Sequence, residues 1–215
     1  MNKMTNQLRT TSFVIVAVWL LTVTCYGQSN NSDSRASNCN ISRDNSEGWK
    51  RYYLEGTDGD AICVYLPQKP ERFPGGKLRG GKNLTMTADV YLVAEKEETY
   101  AVVFVYDLIK IEQMSDDQKA EMFFGTWRSI SENIRQVLEK RFSKPVEVKQ
   151  SEQTKVNVGG HEGRVQFFTV GPYLGQARML FTENKAYMLM GLWPQAKAEK
   201  RSASFFNSFE MRVKQ

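Results

Sequence analysis

The sequence predicts an α+β domain: an antiparallel β-sheet of meander hairpins, packed by one long and one short α-helix. Three observations carry that expectation. Segments of alternating or continuous apolar residues recur with turn residues between them, which is the mark of hairpin-linked strands. One stretch, from Ser115 to Ser143, carries helical periodicity with a start and a stop signal. The connections are also too short for the crossovers of a doubly wound parallel sheet.

Residues 49–54 and 61–66 read as two short strands around Glu55-Gly56-Thr57-Asp58-Gly59-Asp60. Pro67, Pro70 and Pro74, with Gly75, Gly76, Gly80 and Gly81, then predict an irregular loop. Residues 83–94 alternate, with Leu84, Met86, Ala88, Val90 and Leu92 on one face and Thr85, Thr87 and Asp89 on the other. Glu95-Lys96-Glu97-Glu98 makes a charged hairpin tip before the apolar, central-strand segment 100–108.

In the long helix, Ser115 is a good N-cap, Asp116 and Asp117 suit the positive first turn, and Gln118 completes a capping box. Phe123, Trp127, Ile130, Ile134 and Val137 form its apolar stripe, and Pro145 bars its continuation. Strands follow at 146–158, 164–170, 176–182 and 186–192, with turns at 159–163, 171–175 and Glu183-Asn184. A short helix over 195–208, with Ala198, Ser202, Phe205 and Phe209 on one side, and a closing strand at 209–213 complete the chain.

Ahead of this domain, residues 1–27 have the three-part layout of a secretory signal. Lys3 and Arg9 give a basic start, the apolar run covers 13–21, and small residues surround Cys25-Tyr26-Gly27. The run is well short of the ~20 apolar residues of a membrane span, so cleavage near Gly27 is expected. Leu21-Thr22-Val23-Thr24-Cys25 spaces its leucine wrongly for a lipidated cysteine. Residues 28–48, rich in Ser, Asn and Asp, read as a disordered tether. Residues 49–215 then form one α+β domain. Cleavage would lower the formal charge from +5 to about +3, a mild balance that argues against nucleic acid. An exported protein, periplasmic or secreted, is the expectation.

Two cysteines would remain, Cys39 and Cys63. In an oxidising compartment they either pair, tying the tether to the first hairpin, or stay unpaired with Cys63 buried in a strand.

Several motifs look chemical. Gly76-Lys77-Leu78-Arg79-Gly80-Gly81-Lys82-Asn83 nearly matches a phosphate-binding loop, but Asn83 replaces the magnesium-holding hydroxyl and a strand follows where a helix is needed. The basic residues Lys69, Arg72, Lys77, Arg79 and Lys82 could instead contact an anionic partner or a membrane surface peripherally. His161 is the single histidine, which excludes a multi-histidine metal centre. It could serve as a general base only with a distant nucleophile, the basis of a rival small-hydrolase reading. Asp58 and Asp60 lack the further oxygen ligands of a calcium loop and read as turn residues. Trp49, Tyr52, Tyr53, Tyr173 and Tyr187 read as core aromatics, and Trp193, before Pro194 at a strand end, could border a groove for a partner. No catalytic residue, metal ligand or cofactor is assigned.

A resemblance is carried by Leu66-Pro67-Gln68-Lys69-Pro70, the segment from Gly163 to Val170, the run Gly175-Gln176-Ala177-Arg178-Met179-Leu180-Phe181-Thr182-Glu183-Asn184-Lys185-Ala186-Tyr187-Met188-Leu189, and Phe205-Phe206-Asn207-Ser208-Phe209. Over about residues 49–213 the chain resembles bacterial exported proteins of unknown function with the Mog1/PsbP-like α+β fold. The resemblance implies a binding or assembly-accessory role and brings no catalytic residues. A monomer engaging an unknown protein or envelope component is therefore expected.

Overall fold

The computed structural model describes residues 48–79, 85–106, 111–143 and 145–212. Strands β1 (Lys50–Glu55) and β2 (Ala61–Leu66) form the first hairpin. Strands β3 (Glu71–Arg79), β4 (Thr85–Ala94) and β5 (Thr99–Tyr106) follow, then helix α1 (Asp116–Phe142). Next come β6 (Val148–Gln150), β7 (Thr154–Val158), β8 (His161–Val170), β9 (Tyr173–Phe181) and β10 (Ala186–Pro194). Helix α2 (Ala198–Phe206) and strand β11 (Glu210–Arg212) close the order.

The α+β class and the all-antiparallel pairing stand as predicted, but the strands divide between two sheets. Among the described residues, eight strands form one sheet in the order β3-β4-β5-β10-β9-β8-β6, with β7 also on β8, and β1-β2-β11 form a second. One face of the large sheet packs on α1, burying Met122, Phe123 and Trp127 against Ala101, Val103, Met179, Met188 and Met190. The other face packs on the small sheet and α2, where Ile62, Val64, Leu66 and Phe205 meet Tyr100, Phe104, Tyr187 and Trp193. The central strands β5 and β10 are thus apolar on both faces, as their continuous hydrophobic runs require.

Local sequence explains the ends of α1. The Ser115 side chain accepts from the Gln118 N–H, and the Gln118 side chain accepts from the Ser115 N–H. The helix stops at Ser143, in the left-handed region at φ 53°, two residues before Pro145. Ile130 is partly buried against the core, continuing the predicted stripe; the side chains of Ile134 and Val137 lie outside the described residues.

Three local expectations need correction. The predicted loop after Pro70 contains β3, an edge strand, where proline's missing N–H costs no ladder bond. Its register shifts between Phe73 and Gly76, a bulge that Gly75 accommodates at φ 67°. The predicted strand 146–158 is interrupted, so β6 and β7 pair with separate stretches of β8. At the break the Ser151 hydroxyl accepts the Phe167 N–H, replacing a ladder partner. The turn at 171–175 shrinks to Gly171-Pro172, because β9 begins at Tyr173. Both faces of β4 are covered, and Asp89, opposite Met86 and Ala88, is fully buried beneath the β1–β2 hairpin tip.

Candidate functional site

The predicted basic set is not one mobile loop. Lys69 is exposed before β3, and Lys77, exposed on β3, donates to the Thr87 hydroxyl at 2.6 Å. Arg72 is exposed over 42% of its side chain and also pairs inward: its Nη2 lies 2.9 Å from Asp89 Oδ2, and its guanidinium sits 5.7 Å from the Tyr91 ring centre. The Arg79 side chain and Lys82 lie outside the described residues. Trp193, by contrast, is 1% exposed and packs against Tyr100 and Phe206 at centroid distances of 6.1 and 6.2 Å. Strand β10 runs on through Pro194, so Trp193 is core, not the rim of a groove.

Cys63 is fully buried and disulfide-bonded. Cys39, the predicted partner, lies outside the described residues.

His161 starts β8 directly after Gly159 and Gly160, whose φ values of 60° and 85° make the tight reversal from β7. It borders an open depression of about 520 Å³ with Ile111, Lys119, Glu162, Phe181 and Thr182. Lys119 spans it, its Nζ 2.5 Å from Glu162 Oε2 and 5.8 Å from the Phe181 ring centre. A hydrolytic dyad would need a nucleophile beside the imidazole. Among the described residues no serine or cysteine lines this depression, and the Thr182 hydroxyl donates to the Lys185 carbonyl. Cys63 belongs to the other layer of the molecule.

The densest polar chemistry lies between the two sheets, at three buried carboxylates. Asp89 Oδ2 accepts from the Thr57 N–H (2.9 Å), the Thr57 hydroxyl (2.7 Å), the Tyr106 hydroxyl (2.8 Å) and Arg72. Its Oδ1 accepts the Gly75 N–H at 2.8 Å. Burial alone would raise the Asp89 pKa, but these donors, led by Thr57 and Gly75, outweigh it and hold the carboxyl below its ordinary value. Asp60 accepts from the Tyr187 hydroxyl and from Lys185, both at 2.6 Å, and Lys185 also reaches Asp58 at 2.6 Å. Burial disfavours the Lys185 charge, yet Asp58 and Asp60 raise its pKa above the usual lysine value. Glu98 accepts from the Tyr100 hydroxyl at 2.7 Å and from Arg201 of α2 at 3.2 Å.

Each carboxylate thus takes a tyrosine hydroxyl from a large-sheet strand and a cation. Asp60 and Asp89 hold the β1–β2 hairpin tip, and Glu98 holds α2. The three tyrosine hydroxyls have raised pKa values, first through burial and then through the adjacent carboxylate. The sequence reading treated Asp58 and Asp60 as turn residues and placed Asp89 only on the strand face opposite Met86, Ala88 and Val90. The usable signal was a lone carboxylate inside a strand that is otherwise apolar beyond Thr87.

Among the described residues, no cluster of His, Cys, Asp and Glu is placed to hold a metal ion, and no helix is long and apolar enough to cross a membrane.

No family model matches the chain, and no curated protein does. Two solved structures align with much of the chain. The solution structure of cyanobacterial PsbP from Synechocystis sp. PCC 6803 aligns at 12% identity and a TM-score of 0.44, over 75% of this chain and 91% of that one. A protein of unknown function from Pseudomonas aeruginosa, described as a putative regulator, aligns at 9% identity and a TM-score of 0.29, over 71% and 88%. Likeness at this level concerns architecture and carries nothing about partner or chemistry.

Proposed function

We propose that the chain is an exported, non-enzymatic binding or assembly-accessory domain. The observation that carries this reading is the use made of its buried carboxylates. Asp60, Asp89 and Glu98, the groups best placed by burial for acid–base work, are each saturated by hydroxyl, amide or cationic donors that join the layers. A saturated carboxylate is a rivet and a poor proton shuttle. The disulfide at Cys63 supports the export half, because such bonds persist in oxidising compartments.

The test uses the full-length chain in its own cell. N-terminal sequencing of the envelope or secreted form is expected to begin near Gln28. Crosslinking of that form should give one reproducible, stoichiometric protein partner, retained when His161 is changed to Ala. A cytosolic, uncleaved product would overturn export. Turnover of ester or peptide substrates that disappears in His161→Ala would overturn the non-enzymatic reading in favour of the hydrolase. Lys69 and Lys77, exposed beside and on edge strand β3, keep a second reading open, a peripheral binder of anionic surfaces. It predicts sedimentation with phosphatidylglycerol vesicles that is lost steeply as salt rises.

A further inference from the structure

On the reading of the chain as a binding domain, we infer that the open face of β8 and β9 beside α2 docks an extended segment of a partner protein, which sets a carboxylate on Arg178 and an apolar side chain on Phe167. The large sheet is not covered evenly. On the face away from α1, the small sheet lies over β4, β5 and β10, and α2 reaches β9, where Ser202 contacts Gln176 and Phe206 contacts Arg178. The register sets Phe167 opposite Gln176 and Val165 opposite Arg178, so these side chains share that face. Phe167 is 49% exposed, the one large apolar side chain among the described residues left so open. Around it Val156 and Val158 of β7, Leu174 of β9 and Phe209 after α2 are only partly buried.

Arg178 stands in this surface without a counter-charge. Arg51, Arg72, Arg164 and Arg201 each meet a carboxylate, at Glu210, Asp89, Asp116 and Glu98. Arg178 meets none among the described residues; burial pushes its pKa below the usual arginine value, and no neighbouring charge opposes that. Its guanidinium lies 4.5 Å from the Phe206 ring centre. The Gln176 amide, with its NH2 turned to the Ser202 hydroxyl at 2.8 Å, accepts from Arg178 Nε at 2.8 Å and from Nη2 at 3.1 Å. Ring and amide hold the fork in place, and three of its five N–H groups remain for a ligand. A cation stripped of part of its water and given no opposite charge is a cost in the free chain, which an incoming carboxylate offsets.

The shape selects a protein segment over a small molecule. The crevice that Arg178 shares with Val158, Leu180, Phe206 and Phe209 measures only about 10 Å³. A small ligand is enclosed by roughly 300 Å³ or more, so a metabolite carboxylate would be left mostly in water here. Exposed aromatic and arginine side chains on an open surface are the usual anchors of protein interfaces. Phe167 and Arg178 are diagonal neighbours across the β8–β9 pair, about 7 Å apart. In an extended segment, residues two apart point to one side at about the same spacing. The fitting sequence therefore carries Glu or Asp two residues from a large apolar side chain.

The experiment selects a random heptapeptide phage library on the full-length protein, and enrichment of that spacing is expected. The best peptide is synthesised with a fluorophore, beside an analogue in which its carboxylate is amidated, and binding is read by anisotropy. Binding should weaken about tenfold in Arg178→Gln and in Phe167→Asp, the second at an exposed position where folding is not at stake. The amidated analogue should bind wild type as weakly as the parent binds Arg178→Gln, and should lose nothing further on that variant. No enriched spacing, equal binding to all forms, or losses that simply add would overturn the docking of a carboxylate on Arg178. A dimer that Phe167→Asp disperses would overturn the partner in favour of a second copy of the chain. A crosslinked partner retained in Phe167→Asp would overturn this face and leave the binding role standing. Crosslinking that fails while the peptide results hold would count against the assembly role and support this face.

Discussion

Asp89 shows how much one side chain is asked to do. Four donors converge on its Oδ2 and one on its Oδ1, so the carboxylate is buried and fully answered. In Asp89→Asn, either orientation of the amide turns an NH2 toward donors, and Arg72 loses its ion partner. The cost is expected to be about 2–3 kcal/mol, kept moderate because Arg72 is partly exposed and can rehydrate; urea unfolding at neutral pH measures it. The same group predicts an acid limb. Its folded pKa lies below the unfolded value of about 3.9, so the unfolded chain takes up the proton first as pH falls. Its stabilisation is complete above that unfolded value and disappears as pH drops through the folded one. Wild type should therefore lose stability more steeply in acid than Asp89→Asn, and parallel curves would remove Asp89 from the account. Lys185 works at the opposite end. Its folded pKa is raised, so its contribution is full below the unfolded value of about 10.4 and is lost as pH rises through the folded one. Lys185→Met should flatten the alkaline limb alone.

Individual elements carry their own constraints, some legible in sequence and some not. Strand β10 places Gly191 and Trp193 on the same face, and a Cβ at Gly191 would overlap the Trp193 ring. Trp193 is core and cannot swing out, so Gly191→Ala is expected to lower stability by about 3 kcal/mol, read as a fall in the thermal midpoint. An unchanged midpoint would mean that the ring has another rotamer available. The capping box of α1 is worth less: Ser115→Ala should cost about 1 kcal/mol. These cases also show what the sequence could deliver. The α1 cap, β2 and the two-faced burial of β5 were readable because each depends on neighbours within one or two turns of chain. Strand β3 was missed because proline and glycine signal a loop unless the strand is known to lie at an edge. The burial of Asp89 was missed because its cover, Thr57, is far away in sequence and alternation says only that two faces differ. Trp193 was misplaced for a related reason. A strand end before proline looks like a rim until α2, through Phe206, is known to fold over it.

At the scale of the molecule, the small sheet and α2 meet the large sheet across an apolar layer that the three tyrosine–carboxylate pairs bound. Burial supplies the adhesion and the pairs fix the orientation, since a slipped layer would leave a buried charge unanswered. The disulfide acts on a different state. With Cys39 as the expected second half of the Cys63 bond, the closed loop of about 25 residues would remove conformations mainly from the unfolded chain, which by loop-closure entropy is worth on the order of 3 kcal/mol. Cys39→Ser tests this pairing, because it removes the expected partner while leaving the Cys63 side chain in place. The oxidised wild type should unfold at a higher guanidinium concentration than Cys39→Ser. The variant should also show a steeper dependence on denaturant, because its unlinked unfolded state exposes more surface. Reducing the wild type should reproduce both changes, and reducing the variant should produce neither. A lower midpoint with an unchanged slope would mean that the bond acts through contacts in the folded sheet. In that case packing around Cys63 in the folded small sheet, and not a shortened unfolded chain, is what the disulfide secures.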